Sequence, residues 1–488
     1  MRCFIFANDL IFQLCYMTET IYQRFKELVQ LYPDSPAIID SNRRLTYAQL
    51  DRMVDAVALP DCANRRIGIV MEHGAEMIAA IFAVLKGGGT YVPVEPTFPH
   101  ERIKFILNEA GVSAVITDNN FSTNAQGHID PKARPDTPAY ILYTSGTTGK
   151  PKGVVVTNRN VCHYARAFEH EFNIVPGDVM AQLSVCTFDI FVEEVFATLL
   201  NGACLFIPTE EDKADIGHLM NAVMANNVTI ISGFPYLLLD INKLPVLPPT
   251  LRLLISGGDV LRAAYINNLV DKVDIYNTYG PSETTVCASY FRCNGATPLA
   301  DGTYPIGKAV RGVTIEILDD DLNPVAQGQT GEICIFGDGI SNGYLTANPE
   351  SSNFTNMSDG RRVYRTGDLG YMLPDGNIAF LHRKDHQVMI RGKRVECEEV
   401  ENVLCACPEV EQGVVAAFTD SVGLSYLVAY IVPKIKSISL SGIRHRLSRF
   451  LTPFMIPEFF VELKTFPLTP NGKVDRDALP VILKEGRL

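Results

Sequence analysis

Short apolar runs alternate with amphipathic helical stretches through the N-terminal half of the chain, and this alternation restricts the fold more than any other feature. Ile21 to Leu31 carries helical spacing of apolar residues and stops before Pro33. "AIID" followed by "RLTYAQLDRMVDAVA" reads as strand, turn and helix, and "RRIGIVM" as a buried strand. "AEMIAAIFAVLKGGG" is a helix stopped by glycines, "TYVPV" is the next strand, and "ERIKFILNEAGVSAVITD" repeats helix then strand. "TIISGF" and "LRLLISGG" continue the pattern. Strands separated by helices are joined by crossovers, so the expected class is α/β, with layers around mostly parallel strands.

The character changes near Gly307. "GVTIEILDDDLNPVAQGQTGEICIFG" has period-two strands and hairpin turns, which predicts a β-rich, barrel-like part. From "HRKDHQVMIRGKRVECEEVENVLCACPEV" the order becomes strand, strand, helix, strand, then a helix near Leu440 to Phe450, a small α+β unit. A chain of 488 residues exceeds one ordinary core. The expected division is an N-terminal extension over 1–16, a core of two layered α/β subdomains plus the barrel-like part over 17–384, and a smaller α+β domain over 385–488. The extension, "MRCFIFANDLIFQLCY", is apolar but interrupted by Asn8 and Asp9 and lacks a small-residue cleavage site. It reads as neither signal peptide nor membrane span, and Met17 opens the domain.

The net charge of −12 disfavours broad binding to nucleic acid or to an anionic membrane, while leaving room for a local cationic pocket. Twelve cysteines are scattered with no CxxC pair and no metal-ligand spacing, which fits reduced thiols in a cytosol rather than a disulfide framework.

The stretch "ILYTSGTTGKPKGVVV", Ile141 to Val156, is the strongest local signal. Glycines and small hydroxyls let backbone N–H groups approach an anion, and Lys150 and Lys152 add positive charge. It is not a Walker A loop, because Gly146 to Gly149 is too short and Pro151 follows Lys150. Composition alone equally suits a glycine-rich surface loop.

"YTSGTTGKPKGV" resembles the phosphate-loop signature of adenylate-forming enzymes, the superfamily of acyl-CoA synthetases, luciferases and peptide-synthetase adenylation domains. Seven further signatures follow the family order: "LTYAQL", "LKGGGTYVPVEP", "FDIFVEEVF", "NTYGPSETTV", "GEICIFGDGISNGYL", the run from "YRTGDLGYM" to "RGKRVECEEVE", and "LTPNGKVDR". The set is most similar to nonribosomal-peptide adenylation domains. The resemblance implies that a carboxylate attacks the α-phosphorus of ATP with loss of pyrophosphate, and that the acyl group then passes to the phosphopantetheine thiol of a carrier protein in trans. ATP and Mg²⁺ are the implied cofactors, and fixed cations and donors around the phosphates would matter most.

The same resemblance implies residue roles. Thr144, Ser145, Gly146, Thr147, Thr148 and Lys152 would line the triphosphate. Tyr279 would stack beside adenine, Asn277 would meet its amino edge, and Gly280 and Ser282 belong to the same nucleotide-binding turn. Glu283 would hold Mg²⁺, for which one carboxylate with phosphate oxygens suffices, and Thr284 would touch the α-phosphate. Asp368 would accept the ribose hydroxyls, with Arg383 nearby. Phe380 stands where many relatives carry tyrosine. Lys473 in "TPNGKVDR" is the implied catalytic lysine, bridging substrate carboxylate and phosphate. Asp385 is the implied hinge of a mobile C-terminal domain. "HRKD" carries His382 in place of the family's glycine, and "QVMIRG" carries Met389 where lysine is common.

"FDIFVEEVF" reads as the start of a helix with Asp189 near its N-terminus and Glu193 four residues on, so both carboxylates share one face. Glu194 points outward in this reading. By the resemblance, Asp189 binds a substrate α-ammonium, and the pocket lining is Asp189, Ile190, Glu193, Ser232, Ile255, Gly257, Thr278, Val286, Cys287 and Lys473. A buried carboxylate needs a partner, and a basic substrate side chain supplies one. The pocket resembles lysine-activating ones, with ornithine, β-lysine and arginine next. A protein Lys or Arg, or solvent, is the alternative partner of Glu193. Cys287 reads as a small apolar wall.

The leading expectation is a stand-alone, cytoplasmic amino-acid adenylating ligase, since the chain ends soon after "NGKVDRDALP". The alternatives are a fragment of a longer synthetase, a D-alanine–carrier ligase, an acyl-CoA synthetase, or a nucleotide-binding protein without catalysis.

Overall fold

A computed structural model of the chain describes residues 17–41, 43–123, 128–146, 150–346, 353–385, 387–421, 423–435, 438–468, 474–476 and 478–482. The proposed extension over 1–16 lies outside the described residues. The chain forms two compact units. One holds the chain up to Pro96, Leu107–Leu142 and Gly153–Lys384; the other holds Thr97–Ile106, Tyr143–Lys152 and the chain from Asp385. The second unit thus takes in two short segments that a single cut in the sequence does not assign to it.

The larger unit is built on two sheets. The first has nine strands in the order Lys308–Ala309, Ser289–Arg292, Asp274–Tyr279, Leu253–Ser256, Ile230–Gly233, Val179–Ala181, Cys204–Phe206, Pro36–Asp40 and Arg43–Thr46. Its interior pairs are parallel, and antiparallel strands close both edges. The second sheet, of six strands, carries Arg66–Val70 paired in parallel with Thr90–Pro93 and Ala114–Thr117. This is the α/β layering that the alternation predicts.

Helix boundaries follow local chemistry. The Ile21–Leu31 helix opens on Thr20, whose Oγ accepts the Gln23 amide at 3.2 Å while the Thr20 amide donates to Gln23 Oε1 at 3.0 Å. The same reciprocal cap recurs at Thr46 with Gln49 and at Thr157 with Asn160, and each is worth about 1 kcal/mol. The Ala75–Lys86 helix is buried along its whole length apart from Glu76, which explains its near-continuous apolar sequence. Its one buried cation, Lys86, pairs with Asp55 and lies 4.8 Å from the Tyr22 ring centre.

Beyond Gly307 the chain forms a five-stranded antiparallel sheet from Val313–Leu318, Gly331–Gly337, Phe354–Asn356, Arg362–Met372 and Ile378–Arg383, matching the β-rich part expected there. The smaller unit carries the hairpin Gln387–Ile390 and Lys393–Glu396, the helix Cys397–Cys405, a three-stranded sheet, and the helix Leu440–Leu447. Val395, Val400, Leu404, Val415, Ile431 and Ile443 form its own core. No helix among the described residues is long and apolar enough to cross a membrane.

Candidate active site

The Val179–Ala181 strand runs into a loop, then the short helix Asp189–Val192, then a wide π turn at Glu193–Ala197. Phe188 is extended, so the helix begins after it and Asp189 occupies the first turn, where a carboxylate complements the amide dipoles. The Glu193 amide donates to the carbonyls of Asp189 and Ile190, so Glu193 stands one turn above Asp189 as the spacing of four predicts. Asp189 accepts from Ser282 Oγ at 2.5 Å. Glu193 is buried, accepting from Ser232 Oγ at 2.5 Å and from the Tyr164 hydroxyl. Among the described residues, hydroxyls hold Glu193, rather than a Lys, an Arg or solvent.

These groups share one electrostatic neighbourhood. Burial pushes the Glu193 carboxyl up to about 7; the Ser232 and Tyr164 hydroxyls oppose the rise and the Asp189 charge adds to it. The Cys287 thiol is pushed well up by burial and then by Glu193 and Asp189, with the Thr278 and Tyr164 hydroxyls beside it. Ile190, Ile255 and Val286 are buried apolar neighbours in the same unit. A Cβ on Gly257 would meet Thr278 Oγ1 at 2.8 Å, so the small residue keeps that contact open.

Glu194 corrects the sequence reading. It is fully buried rather than outward. One carboxylate oxygen accepts the Leu183 amide at 3.0 Å and Ser184 Oγ at 3.1 Å; the other accepts Gln182 Nε2 at 3.0 Å and the Ser184 amide at 3.1 Å. The loop before the helix folds back with unpaired donors, and a carboxylate is the group that satisfies several of them at once. Alternation along a helix face cannot foresee this, because the partners lie in the loop.

In the second group of expected site residues, the Asp274–Tyr279 strand leads through Gly280 and Pro281 into the 3₁₀ turn Ser282–Thr284. The Tyr279 hydroxyl donates to Asp368 at 2.5 Å, and Arg383 Nη1 donates to the other Asp368 oxygen at 2.5 Å. Asp368 and Arg383 are cross-strand partners in the five-stranded sheet, and the Phe380 ring lies 6.5 Å from that of Tyr279. Four residues from two sequence motifs therefore converge. The Asn277 side-chain amide is buried and donates to the Pro305 carbonyl at 2.8 Å. Glu283 is fully buried and accepts the Tyr344 hydroxyl at 2.8 Å, while Thr284 Oγ1 donates to the Pro281 carbonyl at 3.0 Å.

Backbone geometry explains the turn's composition. A Cβ on Gly280 would sit 2.4 Å from the Val286 carbonyl oxygen, so only glycine fits. Thr285 and Val286 adopt φ of 59° and 71°, which β-branched residues rarely do. Thr285 Oγ1 holds this conformation by donating to the Gly339 carbonyl at 2.8 Å.

Residues 25–130 and 119–345 match the family described as AMP-binding enzyme, and residues 399–473 match the AMP-binding enzyme C-terminal domain. The chain belongs to the AMP-binding enzyme family. Among its relatives, "Bacitracin synthase 2" of Bacillus licheniformis is 35% identical over 95% of this chain and 18% of its own length, and "Tyrocidine synthase 1" of Brevibacillus parabrevis is 34% identical over 95% and 45%. The chain spans less than half the length of these relatives. The fold matches that of "NpsA-ThdA, an artificially fused Adenylation-PCP di-domain NRPS from Klebsiella oxytoca", with TM-score 0.81, 24% identity and coverage of 91% of this chain and 94% of that one. It also matches the Vibrio cholerae adenylation domain AlmE, solved in complex with glycyl-adenosine-5'-phosphate, with TM-score 0.81, 22% identity and coverage of 93% and 96%. The family resemblance read from the motifs is thus borne out.

In this AMP-binding enzyme the glycine-rich loop belongs to the smaller unit. A Cβ on Gly146 would lie 2.0 Å from the Lys150 carbonyl oxygen and 3.0 Å from Lys152 Cγ, so only glycine fits at that position. Thr144 Oγ1 is buried with no hydrogen-bond partner among the described residues, while Ser145 Oγ donates to the Arg394 carbonyl at 2.9 Å. Arg102 pairs with buried Glu399 at 2.8 Å in the same unit. Asp385, the first residue of the final segment, accepts the Gln387 amide at 3.2 Å. Thr147, Thr148 and Lys473 lie outside the described residues.

Three contributors escape the sequence reading. Tyr164 reaches Glu193 from the Asn158–Phe172 helix, and Tyr344 reaches Glu283 from a strand far along the chain. Ser282, grouped with the nucleotide, also donates to Asp189. No local spacing signals any of the three, because each contact closes a long loop.

Proposed function

We propose that this chain activates an amino acid with ATP as an aminoacyl adenylate and then delivers it to the phosphopantetheine thiol of a carrier protein. The substrate class is a basic amino acid, with lysine first. The observation that carries this reading is the placement of a half-buried Asp189 beside a buried Glu193, close enough that the Asp189 charge raises the proton affinity of Glu193. Two coupled acids, one of them buried and held by neutral hydroxyls alone among the described residues, suit a ligand with two cationic groups. Asp189 would take the α-ammonium and Glu193 the side-chain ammonium, leaving the ligand carboxylate to approach the nucleotide.

In the first step a carboxylate oxygen forms a bond to the α-phosphorus as the bond to the pyrophosphate oxygen breaks. Asp368 and Arg383 would hold the ribose side of the nucleotide, Tyr279 the base, and Thr144, Ser145, Gly146 and Lys152 its phosphates. The Thr144 hydroxyl, without a hydrogen-bond partner among the described residues, is a donor that a phosphate oxygen would satisfy. Lys473 would neutralise charge developing on the reacting oxygens. Mg²⁺ would be held by Glu283, a fully buried carboxylate of the kind a hard cation prefers, and would supply charge neutralisation at the phosphates.

The test is ATP–pyrophosphate exchange with each standard amino acid, ornithine and β-lysine, alongside aryl and fatty acids. Exchange led by lysine or another basic amino acid is expected. A neutral amino acid leading the panel overturns the basic-substrate reading, and exchange confined to acids without an amine overturns amino-acid activation altogether.

A further inference from the structure

We propose that His73, Glu95 and Cys186 form a binding site for one divalent transition-metal ion of zinc type, distinct from the nucleotide and amino-acid residues above. Each of the three lies just beyond the C-terminal end of a parallel strand. His73 follows Arg66–Val70, Glu95 follows Thr90–Pro93, and Cys186 follows Val179–Ala181. The strands belong to both large sheets of the larger unit, so the cluster closes the seam between them. One ligand atom from each residue lies within 4.8 Å of the other two.

The hydrogen bonds fix the imidazole in the orientation a metal ligand needs. Gln182 Nε2 lies 2.5 Å from the Ser184 carbonyl oxygen and 3.0 Å from Glu194 Oε2. Both are acceptors, so that end of the side chain is the NH₂ group and Oε1 is the end that faces His73. Gln182 Oε1 lies 2.7 Å from His73 Nδ1, which must therefore carry a proton. His73 Nε2 then points its remaining position at Glu95 Oε1, 2.9 Å away. A lone pair cannot face a carboxylate at that distance without a cation between them. A proton can fill that position, and so can a metal ion. A ligating histidine whose other N–H is held by a carbonyl oxygen is the usual support of a metal site.

The ligand chemistry and charge fit zinc. Nitrogen, sulfur and one carboxylate oxygen form a borderline-soft set that excludes Mg²⁺ and Ca²⁺ as preferred occupants. With a proton on His73 Nε2 and a thiol at Cys186, the three groups carry no net charge. A divalent ion bound to neutral imidazole, carboxylate and thiolate also leaves no net charge, and two protons depart. Bonds of about 2.0–2.3 Å put tetrahedral ligand atoms roughly 3.3–3.7 Å apart. The imidazole and carboxylate would open by a few tenths of an ångström, and the sulfur would close by a side-chain rotation. His73 keeps 14% of its side chain accessible, which gives an ion a way in. The ion would brace the loop that presents Asp189 three residues after Cys186, and the Phe191 ring already meets His73 edge-on at 5.6 Å.

Cobalt(II), added to the full chain after chelator treatment, tests the site. One equivalent should bind with a thiolate-to-cobalt charge-transfer absorption, and one equivalent of zinc should displace it. His73→Gln keeps a polar side chain with an N–H donor for Glu95 but removes the ligand nitrogen, and should weaken cobalt binding at least tenfold. Cys186→Ser should abolish the charge-transfer band. Circular dichroism checks that both variants fold, and the His73→Gln result stands if the serine variant does not. No charge-transfer band in the folded wild-type chain overturns the proposal and leaves a protonated His73–Glu95 ion pair. A band that persists undiminished in His73→Gln overturns it equally, by assigning the metal to other thiols.

Discussion

Replacing Glu193 by glutamine separates charge from shape in the proposed substrate cluster. Burial carries the carboxyl from an ordinary 4.5 to about 7. That rise corresponds to about 3 kcal/mol of penalty on the charged form when no cation is bound. A ligand ammonium beside Glu193 offsets the penalty, whereas the methyl terminus of norleucine leaves it in place. The wild-type chain should therefore prefer lysine over norleucine by roughly two orders of magnitude in kcat/KM for pyrophosphate exchange at about pH 8. Glu193→Gln should erase most of that ratio, chiefly by raising KM for lysine. The pH dependence has a definite sign. The wild-type KM for lysine should fall as pH rises through about 7, because Glu193 then ionises, and the variant should show no such fall. Stability follows the opposite course. A folded value above the unfolded one means the native state holds the proton more tightly, so Glu193's contribution is full below 4.5 and is lost as pH rises through about 7. Relative to wild type, Glu193→Gln should thus gain stability between those limits in denaturant titrations. A lysine-to-norleucine ratio that stays within about threefold of wild type, with an unchanged pH profile, refutes the pairing of Glu193 with a ligand cation.

Tyr164→Phe removes a hydroxyl that lowers the Glu193 value, so the pH at which lysine KM improves should move upward while norleucine exchange stays unchanged; a profile unmoved in exchange assays counts against the contact. Glu194→Ala leaves the Leu183 and Ser184 amides buried without an acceptor and should cost at least about 3 kcal/mol in urea unfolding. Asp368→Asn weakens the partner of both Tyr279 and Arg383 and should raise KM for ATP roughly tenfold in pyrophosphate exchange, with little change in KM for the amino acid. Lys473→Ala should slow exchange by about two orders of magnitude or more, equivalent to about 3 kcal/mol, and near-normal exchange would remove Lys473 from the chemistry.

What the sequence shows about this chain divides by the distance over which each signal acts. Helix limits are written in caps of three residues, such as Thr20 with Gln23, and the parallel sheets in runs of buried strand separated by helices, so both are legible locally. Motif turns are legible for the same reason: Gly280 is required because the backbone returns to Val286 within a few residues. Side-chain partners are not. Glu193 has the same spacing from Asp189 in sequence and in structure, yet what holds it comes from residues 29 and 39 positions away. The metal-type cluster is more extreme, with His73 and Glu95 22 residues apart and Glu95 and Cys186 91 apart, so no motif of short spacing could register it. Glu194 shows the physical reason most sharply. An exposed and a buried glutamate have the same helical spacing; they differ in whether a neighbouring loop brings donors to them. Here the loop 182–188 arranges its N–H groups around Glu194, its Gln182 side-chain Oε1 on His73, and its Cys186 amide on Glu95. A single irregular segment therefore anchors the buried acid, the proposed ion and the entry to the Asp189 helix. Substitutions in that loop should perturb all three together, whereas substitutions on the flanking strands should not.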